Sequence, residues 1–120
     1  MATERKGLQR IRPMLDIFIE KLKSIYGDSL KSVVLFGSYA RGEEREESDI
    51  DLLLLLDMTK EEINRCDDAL CDLIFDYEVT EHLEISPITM SIADYSKWKG
   101  VHEFLRNVRE DGVSLYGATA

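Results

Sequence analysis

Five leucines in a row, Leu52 to Leu56, limit the folds open to this chain more than any other stretch. The run is far short of the ~20 apolar residues that span a bilayer, and its length is that of a strand. Successive side chains of a strand point to opposite faces, so this strand is apolar on both. Such a strand belongs inside a sheet covered on both sides. The expected fold class is therefore α/β: a small mixed β-sheet covered by helices.

The remaining segments supply the covers and the neighbouring strands. Leu8, Ile11, Leu15, Phe18, Leu22 and Ile25 recur at three- and four-residue steps and predict an amphipathic N-terminal helix. Pro13 means that this helix either starts near Arg12 or kinks there. Gly27-Asp28 stops it. Ser32 to Phe36 is short and rich in β-branched residues, and predicts a first strand. Gly37 to Glu47 connects it, with a helical turn around Ser38 to Arg41, to a second strand from Asp49 to about Leu56. Thr59 and Glu62 have the spacing of a capping box. Behind them Ile63, Cys66, Leu70, Leu73, Ile74 and Tyr77 mark one long second helix. His82 to Met90 reads as a third strand, with His82, Glu84 and Ser86 on one face and Leu83 and Ile85 on the other. Pro87 makes this an edge strand or ends its regular pairing. Ser91 to Asp94 caps a last helical region in which Trp98, Val101, Phe104, Leu105 and Val108 pack and which Gly100 weakens or divides. Gly112 ends it, and Val113 to Tyr116 close the domain.

At 120 residues the chain is expected to form one domain, residues 1–120, with one core and no separate substrate domain. A net charge of −9 argues against direct nucleic-acid binding, which needs a positive footprint. That charge suits a basic protein partner, and a homo-oligomer stays open. The polar start, Met1 to Lys6, carries no secretory signal, and no segment reads as membrane-spanning, so a cytoplasmic location is expected. Cys66 and Cys71 lack a Cys-x-x-Cys spacing and are expected as reduced, buried thiols.

The residues suited to chemistry concentrate between the first two strands. Gly37-Ser38-Tyr39-Ala40-Arg41-Gly42 follows the first strand, and Ser48-Asp49-Ile50-Asp51-Leu52 opens the second. Asp49 and Asp51, two apart on a strand, point to one face. Carboxylates that close repel unless cations lie between them, and Mg²⁺ takes a few carboxylates together with phosphate oxygens and water. Gly37 permits positive φ and close approach of a phosphate. The N–H groups and hydroxyl of a helical turn opening at Ser38 would face that phosphate. Two metal ions about 3.5–4 Å apart can activate an attacking oxygen and stabilise a leaving one. Arg41 either offsets triphosphate charge or pairs with Glu43, Glu44 or Glu46, and Tyr39 either stacks on a base or packs. A Gly-Ser turn or an Asp-x-Asp strand entrance alone is usually structural. Their joint order, strand, Gly-Ser, polar loop, Asp-Ile-Asp-Leu strand, points to nucleotidyl or phosphoryl transfer.

Gly37-Ser38, ten intervening residues and Asp49-Ile50-Asp51-Leu52 resemble the signature of the DNA polymerase β-like nucleotidyltransferase superfamily. The fuller string from Gly37 to Gly42 and from Ser48 to Leu52 resembles its short form, the minimal nucleotidyltransferases, and Asp111 to Tyr116 resemble the ends of such domains. The likeness runs from Ser32 to about Ser91, half of the chain, with the closing segment in addition. It implies that Gly37 and Ser38 hold the nucleotide's phosphates and that Asp49 and Asp51 hold two catalytic Mg²⁺ ions; the segment of Arg41 belongs to the short form's signature, which makes Arg41 a nucleotide-binding candidate while its pairing with a glutamate stays open. It also implies a third carboxylate from a later strand. Glu84 is the candidate by position and alternation, one methylene longer than the Asp usual in the family, and Asp76 and Glu78 are weaker ones.

The implied reaction is transfer of a nucleoside monophosphate, AMP from Mg·ATP, to a hydroxyl acceptor. Minimal nucleotidyltransferases are frequently paired, as antitoxins, with a helical HEPN-type RNase toxin, and some members transfer AMP to a tyrosine of that toxin. The resemblance therefore implies a HEPN-type toxin as partner and acceptor. The alternative is an antitoxin or regulator of the same fold that acts by binding, with catalysis weak or lost. A small-molecule acceptor such as an aminoglycoside is less expected, because enzymes of that kind usually carry an additional domain.

Overall fold

The structure is a computed structural model, and it describes residues 6–117. In chain order it contains α1 (Lys6–Tyr26), a 3₁₀ turn (Gly27–Ser29), β1 (Leu30–Phe36), α2 (Ser38–Arg41) and β2 (Ile50–Leu56). Then follow α3 (Lys60–Arg65), α4 (Asp67–Glu81), β3 (Ile85–Ser91), α5 (Ile92–Trp98), α6 (Glu103–Asp111) and β4 (Val113–Gly117). The strands form one sheet in the order β3-β2-β1-β4. β1 is antiparallel to β2 and β4, whereas β2 and β3 run parallel. A parallel pair needs a long crossover, and α3 with α4 provides it.

The leucine run lies in an inner strand, and its side chains divide between the two faces. Leu52, Leu54 and Leu56 join Val33 and Leu35 against the buried stripe of α1 (Leu8, Ile11, Leu15, Phe18 and Leu22) and against Ile63, Leu70 and Tyr77 of α3 and α4. Leu53 and Leu55 join Val34 on the other face, under Tyr95 of α5 and Leu105 and Val108 of α6. Helices therefore cover both faces, and the mixed α/β class read from the sequence holds. Among the described residues, no helix is long and apolar enough to cross a membrane.

Several local expectations are corrected. α1 runs unbroken through Pro13 rather than starting at Arg12. Leu8 and Ile11, on the N-terminal side of the proline, are both fully buried, and packing of that face outweighs the local cost of the ring. The expected second helix is two, because the N–H of Cys66 closes a tight turn onto Ile63 and Asn64. Asp67 and Asp68 then occupy the first turn of α4, where negative charge suits the helix dipole. The third strand does not begin at His82. That residue has φ 56° and ψ 33°, a left-handed cap that ends α4, so β3 starts only at Ile85. β3 is an edge strand, which is what allows Pro87 within it. The cysteines are less buried than expected: Cys71 is exposed and Cys66 half-buried. Positions 1–5 of the polar start lie outside the described residues.

Phe18 packs edge-on against Tyr77 with ring centroids 5.2 Å apart and is fully buried. Phe18→Ala is expected to cost about 3–5 kcal/mol, read as a lower denaturant midpoint in chemical unfolding. The capping box expected at Thr59 and Glu62 is formed in both directions. Hydrogen bonds from Thr59 hold the Glu62 carboxyl below its ordinary pKa. Such a group stabilises the fold above the unfolded carboxylate pKa, and this contribution disappears as pH falls through the lowered folded value. Thr59→Ala should cost about 1 kcal/mol near neutral pH. Glu62→Gln should destabilise at neutral pH and converge with the unmodified chain in acid, as thermal melts across pH would report.

Candidate active site

β1 ends at Phe36, and the chain turns through Gly37 with φ 78° and ψ −155°. Only glycine adopts that backbone without strain. A Cβ at Gly37 would collide with Oδ2 of Asp51, so the carboxylate lies directly against the turn. Strand register is the cause: Phe36 pairs with Asp51 across β1 and β2, and the next residue passes over the Asp51 side chain. α2 begins immediately, with the N–H groups of its first turn unpaired inside the helix. Arg41 and Gly42 close it, the Arg41 N–H bonding Gly37 O at 3.2 Å and Gly42 adopting φ 71°.

The acidic loop returns through a turn at Arg45 to Ser48, where the Arg45 N–H donates to Ser48 Oγ at 2.7 Å. Glu44 lies against Gly7 and ties this loop to α1. Asp49 comes one residue before β2, and its parity along the chain matches that of Asp51, Leu53 and Leu55. Ser86, the register partner of Asp51 on β3, donates its hydroxyl to Asp49 Oδ2 at 3.4 Å. Glu84 precedes β3, yet its carbonyl accepts the Ile50 N–H at 2.9 Å, which holds it beside the entrance of β2.

Electrostatics shows three carboxylates crowded at one strand end. The Asp51 carboxyl is pushed above its ordinary pKa, first by burial and then by the negative charge of Asp49, while Arg41 pulls it down. Glu84, fully exposed, is also pushed up, first by a hydrogen bond with Asp49 and by the charge on that residue. The Arg41 guanidinium bonds Glu43, Nε to Oε1 at 2.9 Å, so of the two roles open to it in the sequence the ion pair is formed. Asp111 and Asp51 also act on it electrostatically. Tyr39 is buried, with its hydroxyl receiving a long 3.4 Å contact from Arg10, which suits packing better than stacking on a ligand.

The donors gathered here are hard carboxylate oxygens with mutual repulsion, and that set fits Mg²⁺. Among the described residues no three His, Cys, Asp or Glu side chains are arranged as a ready-made cage. Mg²⁺ does not require one, since it keeps several waters and takes substrate phosphates as ligands.

Two features of this region were not read from the sequence. Ser86 orients Asp49, and its place on the same strand face as Glu84 was the available signal. A cleft of about 260 Å³ opens beside Gly37 and Arg41, floored by Phe36, Phe104 and Val108 and rimmed by Asn107 and Asp111. It exists because α6 folds back over the end of β1, a contact with no local signature.

Residues 15–114 match the family described as the nucleotidyltransferase domain, and the chain belongs to that family. A candidate protein adenylyltransferase of Methanocaldococcus jannaschii, MJ0604, is 39% identical over 99 residues, covering 82% of this chain and 91% of that protein. Another from the same organism, MJ1305, is 40% identical over 84 residues, covering 69% of this chain. The matched region spans just over half, 56%, of MJ1305. Among solved structures, a toxin–antitoxin complex with AMP-PNP is similar at TM-score 0.55 and 22% identity, covering 87% of this chain and 74% of that one. A tri-AMPylated HEPN toxin from Shewanella oneidensis in complex with its MNT antitoxin is similar at TM-score 0.51 and 20% identity, covering 86% and 69%. The fold is thus shared with a chain in each of these two complexes.

Gly37→Ala should strain the turn and displace Asp51. We expect a loss of about 1–3 kcal/mol in unfolding experiments. Asp51→Asn removes one of the repelling charges and should raise the melting temperature of the nucleotide-free protein, as calorimetry would show.

Proposed function

We propose that this chain transfers AMP from Mg·ATP to a hydroxyl of a partner protein, a tyrosine of a HEPN-type RNase toxin, and acts as its antitoxin. The contact of the Asp51 carboxylate with the Gly37 turn supports this reading, because a carboxylate there could hold a metal ion beside a turn open to a phosphate. The names of the M. jannaschii relatives and the AMPylated toxin in a structure of the same fold support the acceptor class.

On this reading Gly37 and the first N–H groups of α2 hold the β- and γ-phosphates, with the Ser38 hydroxyl beside them. Arg41 exchanges or shares its bond with Glu43 to face the same phosphates. Asp49 and Asp51, with Glu84 as the third carboxylate, would hold two Mg²⁺ ions, which neutralise phosphate charge and lower the pKa of the acceptor. Ser86 keeps Asp49 turned toward the site. The acceptor oxygen forms a bond to the α-phosphorus in line with the bond that breaks, pyrophosphate departs, and the hydroxyl proton is lost to solvent. The protein's contribution is positioning and charge compensation.

The full exposure of Glu84 favours a second reading, an antitoxin that works by binding with little catalysis. Labelled ATP, Mg²⁺ and the candidate HEPN-type protein separate the two. The expected result is an AMP mass adduct on a partner tyrosine, lost at least about a hundredfold in Asp49→Asn with Asp51→Asn while the variant stays folded. Complex formation without an adduct would leave the binding reading standing, and full activity of the double variant would remove the carboxylates from the reaction.

A further inference from the structure

α4 presents more apolar surface outward than its packing in this chain uses. It buries Leu70 and Tyr77, whereas Phe75 and Val79 are 65% and 55% exposed. Cys71 is exposed as well. Cys71, Phe75 and Val79 follow one another at four-residue steps and line one ridge of the helix. Beside them, at the same spacing, Asp68, Asp72 and Asp76 form an exposed ridge made only of carboxylates. Like charges one turn apart repel along a helix, so this ridge opposes helix formation. None of the three aspartates forms an ion pair with another described residue. From Asp67 to Glu81 the helix carries six acidic residues and no lysine or arginine.

Single exposed apolar side chains are ordinary, but a contiguous apolar row rimmed by one sign of charge marks a protein contact. The row also leads toward the candidate site. α4 ends just before Glu84, and the Glu84 carboxyl feels, after the larger effect of Asp49, the charge of Glu78 on the last turns of α4. A partner lying along this face would reach the strand end where Asp49, Asp51 and Glu84 gather. Its chemistry follows from charge: with −9 on the whole chain and an unbroken acidic ridge at the contact, the complementary surface is basic. A second copy of this chain would bring the same acidic helix and meet repulsion.

We propose that the outer face of α4 is the docking surface for a basic amphipathic helix of the acceptor protein. Phe75 and Val79 pack against the apolar face of that helix, and the aspartate ridge faces its lysines and arginines. The inference rests on the reading that the acceptor is a protein, and it is tested without ATP so that docking and transfer are read apart.

The probe is a synthetic helical peptide of leucine and lysine in heptad pattern, titrated into the labelled chain and followed by amide chemical shifts. Shifts are expected along α4 and the segment to Glu84. Affinity should fall about tenfold or more in Phe75→Asp, although that variant is more acidic. Asp72→Asn with Asp76→Asn should weaken binding and flatten its salt dependence. Val79→Ser and Phe75→Ser, milder changes at exposed positions, repeat the test if Phe75→Asp melts early. Shifts centred on Glu43 to Glu47, or binding unchanged or tighter in Phe75→Asp and the serine variants, would overturn the proposal. So would a dimer of the free chain in light scattering that Phe75→Asp dissociates. Asp49→Asn with Asp51→Asn must leave peptide binding intact. Absence of transfer by the unmodified chain, with docking retained, would count against the catalytic reading alone.

Discussion

Across the antiparallel ladder of β1 and β2, Phe36 stands opposite Asp51, and the arrangement of the candidate site depends on that pairing. A slip of one residue in a strand turns every side chain to the other face. Here the slip would carry Asp51 under α1, into a layer of Leu8, Phe18 and Leu22 with no polar partner. The five leucines that follow cannot specify the register, because they are apolar on both faces. The carboxylate that opens the strand does so instead: its burial in a dry layer costs several kilocalories per mole or forces neutralisation.

The same pairing sets the electrostatic character of the site. Asp51 is half-buried beneath a glycine turn, and Asp49 and Glu84 add charge from adjacent backbone positions. The resulting repulsion is tolerated because the sheet is clamped by apolar layers on both faces, built from α1, α3 and α4 on one side and α5 and α6 on the other. A cation and a polyphosphate would relieve each other's charge and that of the carboxylates at this end. The wider surface has the same bias. The loop from Glu43 to Glu47 and the outer ridge of α4 are acidic, a bias that suits a basic surface better than a nucleic acid.

Much of this was legible because it is local. The stripe of α1, the capping box at Thr59, the helix break near Gly100 and the two-residue spacing of Asp49 and Asp51 are each set by neighbours in the chain. The parts that were not legible depend on distant contacts or on a single dihedral. Burial of Leu8 and Ile11 carries α1 through Pro13 against the local cost of the ring, which propensity alone would count as a stop. The left-handed cap at His82 shortens β3 at its start, and a histidine gives weak notice of positive φ compared with glycine. Glu84 therefore reaches the site from just outside β3, held there by its carbonyl bond to Ile50.

The order of apolar runs, turns and charges determined by itself that a covered mixed sheet would form and that two aspartates would open one of its inner strands. Strand alternation and helical periodicity act over a few residues, so nothing beyond the chain's own pattern was needed. Only the tertiary structure decided what those aspartates face. Ladder register laid Asp51 against Gly37, the parallel crossover brought Glu84 and Ser86 alongside, and the return of α6 opened the neighbouring cleft. Each of these joins segments far apart in the chain, where the outcome is set by how two apolar layers close on the sheet.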